Sequence, residues 1–241
     1  MFQVRGTQMS DVVVECRKIT RVYGEGSVEV HALRGIDLEL RSGEFVSMAG
    51  PSGSGKSTLL NVVGALDRPT TGEVLIDGEK LNDMSKSELA DLRLHKIGFV
   101  FQAYNLIPVL SARENVEFIM QLQGVAARER RKRALDMLEE VAIADLADRR
   151  PADMSGGQQQ RVAVARAIVS RPVLLLADEP SANLDSVTMK ELLGLLKRLN
   201  AQFGTTILMA THDPNVMTFA ARHIQLHDGA IESDDGKAEA A

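Results

Sequence analysis

Nine residues near the first fifth of the chain, Gly50-Pro51-Ser52-Gly53-Ser54-Gly55-Lys56-Ser57-Thr58, match the phosphate-cradling pattern G-x-x-x-x-G-K-[ST] at every fixed position. The flanks agree with it. Glu44 to Ala49 is a mostly apolar run of strand length, and Thr58 to Val63 carries the apolar residues of a starting helix. Strand, glycine loop and helix therefore stand in the order that a phosphate site requires. Glycines let the backbone wrap closely around a triphosphate, so that successive N–H groups and the positive end of the helix face its oxygens. Lys56 supplies a compact cation for the β- and γ-phosphates, and the Ser57 hydroxyl is placed to ligate Mg²⁺. The substrate class is a nucleotide phosphate.

Composition narrows the field. The chain has 241 residues, 44% of them hydrophobic, enough for a sizeable core at the upper end of single-domain size. A formal net charge of −5 and a pI near 5.6 argue against a dedicated nucleic-acid binder. Cys16 is the one cysteine and cannot form an internal disulfide, which suits a reducing compartment. No apolar run approaches a membrane span, the longest being Val173 to Ala177, and Met1 to Asp11 lacks a signal-peptide core. A role at a membrane would be exercised from outside the bilayer.

Taken in order, Val12 to Cys16 and Ile36 to Leu40 read as strands of a partly solvated antiparallel sheet. The turn Tyr23-Gly24-Glu25-Gly26 lies between them. Tyr23 has two readings, a ring stacked on an adenine or an ordinary core residue. Asp77-Gly78 signals a hairpin after a strand from Glu73 to Ile76, and Ser85 or Ser87 caps a helix ending near Leu94. Ile97 to Gln102 is a strand ending on an amide, either a plain polar terminus or a group that reaches Mg²⁺ or water. Residues 111–150 are helical in composition, with Leu122, Ala134, Leu135, Leu138 and Val141 spaced for helix faces. Within them Arg128-Glu129-Arg130-Arg131-Lys132-Arg133 reads as a solvated face rather than a nucleic-acid patch, because Asp136, Glu139 and Glu140 follow at helical spacing.

Ser155-Gly156-Gly157-Gln158 opens a new helix running through Ile168, either as a plain cap or as an anion cradle. Val173 to Ala177 is a continuous aliphatic strand ending in Asp178-Glu179, the pattern of a central parallel strand whose carboxyl end faces a ligand. Asp178 is placed for a Mg²⁺ shell and Glu179 for the attacking water. Asp185 starts or caps the next helix. Thr205 to Ala210 is a second central strand, followed by His212, which is a structural histidine or a γ-phosphate sensor. Ile224 to Ile231 forms a last hairpin through Asp228-Gly229, and Glu232 to Ala241 reads as a polar, flexible tail.

Together, Gly50 to Thr58, Gln102, Met154 to Gln158, Leu174 to Glu179, Ser181 to Asp185 and His212 resemble the ATPase subunit of ABC transporters. The resemblance covers roughly residues 11–232. It implies an α/β fold of the P-loop NTPase type: a RecA-like core, an N-terminal antiparallel β-subdomain, and an α-helical signature subdomain over about 86–163. Residues 1–10 and 233–241 are left as flexible termini. Met154 stands where Leu is usual and Ser181 where Thr is common; neither change removes a functional group.

A narrower likeness, in the stretches from Tyr23 to Gly35, from Gly98 to Pro108, and in Glu114-Asn115-Val116, is to the lipoprotein-release and macrolide-export ATPases and a related cell-division ATPase. By the broader likeness to ABC transporter ATPases, Tyr23 stacks on the adenine, and Gln102 serves Mg²⁺ and membrane coupling. Ser155 and Gly157 offer γ-phosphate contacts to the opposite subunit, Gly156, Gln158 and Asp185 count with them among the nucleotide-binding positions, and His212 is the switch. The implied assembly is a head-to-tail homodimer. It hydrolyses Mg²⁺-bound ATP at the cytoplasmic face of an inner membrane, beside permease subunits with an extracytoplasmic domain and without nucleic acid. The competing class, a soluble ABC-type ATPase of DNA repair, translation or cofactor assembly, fits less well. Only 99 positions separate Lys56 from Ser155, too few for a long coiled-coil arm.

Overall fold

Four mostly apolar strands with few polar positions can be satisfied only in a sheet covered on both faces, and that is what the chain builds. The computed structural model describes residues 11–24 and 29–236. Its central sheet has six strands in the order β10-β9-β3-β8-β7-β6. These are β3 (Phe45–Ala49), β6 (Ile97–Phe101), β7 (Leu174–Asp178), β8 (Thr206–Thr211), β9 (Arg222–His227) and β10 (Ala230–Asp234). All pair in parallel except the β9–β10 hairpin.

Side chains alternate across this sheet, and each face serves its own core. Leu175, Ala177, Ile207 and Met209 point to a core closed by helices α3 (Ala112–Leu122), α4 (Ala127–Glu140), α5 (Gly156–Ile168) and α6 (Ser186–Phe203). Leu174, Leu176, Leu208 and Ala210 point to the other core, shared with α1 (Lys56–Val63) and α2 (Lys86–Lys96). That second core is roofed by an antiparallel sheet in the order β2-β1-β4-β5, formed by β1 (Val12–Tyr23), β2 (Val30–Arg41), β4 (Thr71–Ile76) and β5 (Glu79–Lys80). Cys16 belongs to it; burial, with Asp37 and Glu15 nearby, pushes its thiol up to about 12, so it stays protonated and inert.

Local signals in the sequence explain the element boundaries. Ser85 and Ser155 each form a capping box with the residue three positions on, Glu88 and Gln158. Asp185 caps α6, accepting from the Val187 and Thr188 N–H groups. Asp77 and Gly78 take φ of 50° and 78°, the left-handed pair that turns β4 into β5. A Cβ on Gly98 would lie 2.3 Å from the Ala167 carbonyl oxygen, so glycine sets how closely α5 packs on β6.

The strand read over Ile97 to Gln102 is β6, which lies within the segment 86–163 and belongs to the central sheet. Two expectations need correction. Leu122 and Leu135 are exposed, at 56% and 37%, whereas Ala134, Leu138 and Val141 are fully buried. The polar stretch from Glu232 to Asp234 is strand, not tail. Asp234 accepts two hydrogen bonds from Arg222, at 2.9 and 2.7 Å, and the same guanidinium donates to Glu44 and the Glu39 carbonyl. A cation with four hydrogen bonds from its guanidinium can be buried beneath a polar edge strand, which composition alone does not reveal. Residues 1–10 and 237–241, read as flexible, lie outside the described residues.

Candidate active site

The parallel register brings four chain segments to one sheet edge. Ala49 pairs with Thr211, Ala210 with Asp178, and Asp178 with Phe101, so the phosphate loop, His212, Glu179 and Gln102 all leave the sheet at adjacent strand ends. A cavity of about 690 Å³ opens there, lined by the loop from Pro51 to Thr58 without Ser54, by Val30 to Ala32 of β2, and by Asp178, Glu179 and His212.

The loop is shaped for an anion. Gly50 and Gly55 have φ of 155° and 104°, and a Cβ would lie 2.2 Å from the Leu226 carbonyl oxygen at Gly50 and 2.7 Å from that of Ala32 at Gly55. No side chain caps α1, so its first N–H groups are free to face the cavity. Lys56 is buried, and its Nζ donates to the carbonyls of Gly50 (2.6 Å) and Pro51 (2.9 Å), laying the cation across its own loop. From the other side the Gly229 N–H donates to the Ser54 carbonyl at 3.0 Å, while the Arg34 N–H donates to the Gly229 carbonyl at 2.7 Å.

Opposite the loop, Glu179 adopts φ of 48°, a strained conformation for a residue with a Cβ. Its N–H donates to the Ala210 carbonyl at 3.0 Å. Its Oε1 lies 2.7 Å from His212 Nδ1; a carboxylate only accepts, so Nδ1 carries the hydrogen of this bond. The imidazole is 68% exposed and the carboxylate 18%. Histidine here is therefore bonded to the carboxylate itself.

Two further residues lie outside this cavity. Tyr23 is exposed rather than part of the core. The Arg21 guanidinium lies 4.3 Å from its ring centroid, and its hydroxyl donates to Asp67 at 2.8 Å. Burial pushes the Asp67 carboxyl upward, but bonds from Tyr23, the Arg68 N–H and Arg21 outweigh it and hold it below its ordinary value. Gln102 is exposed, and its carbonyl accepts from Asn183 at 3.2 Å.

Ser155, Gly156, Gly157 and Gln158 form a second cavity, of about 350 Å³, with Asn183, Asp185 and Thr188. It shares no lining residue with the first. The Asp185 carboxylate is committed to α6: the Thr188 hydroxyl and N–H hold it below its ordinary pKa.

The segment after Gln102 is held by side chains whose backbone partners the sequence did not indicate. Asn115 is fully buried; its Oδ1 accepts from the Ile107 N–H and its Nδ2 donates to the Ile107, Leu110 and Ser111 carbonyls. Arg166 donates to the Asn105 and Tyr104 carbonyls. Together they anchor the segment that follows Gln102. The Asn115 partners lie four to eight positions before it, whereas those of Arg166 are 61 and 62 positions away and only the folded loop shows them.

A phosphate loop, a strand-end acid pair and a separate serine–glycine helix start are the parts of one known machine, and comparison with known proteins decides which. The ABC transporter family profile matches residues 33–182. The chain belongs to the ABC transporter family. This ABC ATPase is 48% identical over 227 residues to an uncharacterized ABC transporter ATP-binding protein of Methanocaldococcus jannaschii, covering 92% of the chain and 97% of that protein. It is 46% identical over 233 residues to a macrolide export ATP-binding/permease protein of Hyphomonas neptunium, covering 97% of the chain but 36% of the relative. Among solved structures, an ATP-binding cassette in a dimeric post-hydrolysis state bound to ADP and Pi superposes with a TM-score of 0.85 at 47% identity, covering 92% of this chain and 97% of the other.

Proposed function

We propose that this ABC ATPase is the energy-supplying subunit of a transporter of the lipoprotein-release or macrolide-export type, working as a head-to-tail homodimer at the cytoplasmic face of an inner membrane. One observation carries the dimer: the phosphate-loop cavity and the signature cavity share no residue within a chain. Each triphosphate would lie between the Lys56 loop of one copy and the Ser155 helix start of the other. Of the first-turn N–H groups of the signature helix, that of Gln158 is taken by the Ser155 hydroxyl at 3.3 Å, so those of Gly156 and Gly157 would face the γ-phosphate.

Within this reading, Glu179 orients or deprotonates the attacking water, and His212, bonded to it, presents Nε2 toward the γ-phosphate. Tyr23, with its ring held by Arg21 and Asp67, offers a face to the adenine. The residues fit Mg²⁺ as hard oxygen donors: Ser57 and Asp178 line the same cavity, and Gln102 stands one residue beyond the strand position paired with Asp178. When bound, the ion would neutralise charge on the β- and γ-phosphates.

The mixed dimer tests the shared site. One subunit carries Lys56→Ala and the other Ser155→Arg, with Glu179→Gln in both to stop turnover. Under the head-to-tail arrangement both lesions fall in one site, so one ATP is occluded per mixed dimer and none in either parent homodimer. A mixed dimer that traps no more ATP than its parents contradicts the arrangement.

The permease partner is supported by a groove of about 580 Å³ between α2, β6, α3 and α5, lined largely by apolar side chains. Leu66 and Leu122 are exposed within it, and Phe99 and Phe101 stack at 5.7 Å along its floor. Because β6 runs from this floor directly into Gln102, a helix seated in the groove would feel displacement of the loop. The wild-type chain, purified from detergent-solubilised membranes, is expected to bring down subunits with membrane-spanning helices. Leu122→Asp should lose them while the isolated chain still binds ATP; retention of those subunits by the variant rules out the groove.

A further inference from the structure

Gln160 lies in the second turn of α5, fully buried, two residues beyond the signature. Its Nε2 donates to the Pro180 carbonyl at 2.6 Å and reaches the Phe101 carbonyl at 3.5 Å. The amide orientation follows from its partners, since two carbonyl oxygens demand the NH₂ end. Its Oε1 is buried without a hydrogen-bond donor among the described residues. A half-satisfied buried amide is a poor choice for stability alone, so its worth has to come from what it holds.

What it holds are the peptide units on either side of the chemistry. Phe101 immediately precedes Gln102, and Pro180 immediately follows Glu179. The Glu179 N–H is already tied to Ala210, and the Pro180 ring fixes φ at the next residue. Capturing the Pro180 carbonyl completes the restraint on a turn whose first residue sits at φ of 48°.

We propose that Gln160 is a positioning residue for ATP hydrolysis. It holds the Glu179–Pro180 turn so that the Glu179 carboxylate faces the phosphate cavity, and it makes that placement depend on where α5, the signature helix, stands. The proposal rests on the role assigned to Glu179 and adds a physical link from the signature helix to the water-activating group of the same chain.

The test uses the full chain with Gln160→Met, which keeps length and loses the donor, and Gln160→Glu, which sets an oxygen against the two carbonyls. Gln160→Met is expected to lower kcat by about 10- to 100-fold, the effect of a misplaced catalytic group, with KM and the nucleotide Kd within about twofold of wild type. Gln160→Glu should be slower still; if it fails to fold, the Met variant decides alone. In a double-mutant cycle, Gln160→Met added to Glu179→Gln should cost little more, because the first acts through the second. Normal kcat in Gln160→Met beside an inactive Glu179→Gln overturns this proposal only, as does a parallel loss of nucleotide affinity or a fully additive cycle. Normal turnover by Glu179→Gln removes the Glu179 assignment and this proposal with it.

Discussion

Glu179→Gln is expected to lower kcat by about 10²- to 10⁴-fold while leaving ATP affinity near wild type. The amide preserves the shape of the side chain, so the loss is that of a group able to polarise water, and binding contacts in the phosphate loop are untouched. Replacing the carboxylate also changes its partner, since His212 Nδ1 loses a charged acceptor at 2.7 Å. ATP should then accumulate in a closed dimer, visible as a Mg²⁺- and ATP-dependent shift in size-exclusion chromatography. Hydrolysis near the wild-type rate would take Glu179 out of the reaction.

Lys56→Ala should fail in a different way, with nucleotide binding itself reduced. Its cation faces phosphate oxygens in the ground state as well as in the transition state, so its removal is felt in Kd before kcat. The site geometry adds a second reason. Lys56 Nζ donates to the carbonyls of Gly50 and Pro51, so truncation frees the loop that must present N–H groups to the ligand. Calorimetry should give an ATP affinity at least about tenfold weaker, which corresponds to about 1.4 kcal/mol. Equal affinity for variant and wild type would contradict this account of the loop.

The central sheet was legible because its strands announce themselves: a five-residue aliphatic run ending in Asp178-Glu179 can hardly be anything but a buried parallel strand. The caps Ser85, Ser155 and Asp185 were equally plain, since a short polar side chain before a helical run has one dominant local use. What escaped were tertiary bonds between side chains and distant backbone. Gln160 and Arg166 look like ordinary helix residues, and only the folded loops supply the carbonyls they hold. Tyr23 escaped for a related reason: its ring is neither core nor free, because Arg21 on its own strand and Asp67, 44 positions on, restrain it. Asp234 was hidden by composition, since a run of acids and serines reads as solvent-loving until Arg222 is seen beneath it.

The bond between the Gly229 N–H and the Ser54 carbonyl bears on how the molecule comes into being. The glycine loop emerges early during synthesis, but its last support lies 175 positions later in the chain. At ordinary elongation rates that gap is about 9 to 35 s, during which the nascent segment has its nucleotide-binding residues without the backbone that braces them. The Ser54 carbonyl gains this brace only once the final hairpin is made, so the glycine loop reaches its full set of backbone supports after the rest of the sheet is in place.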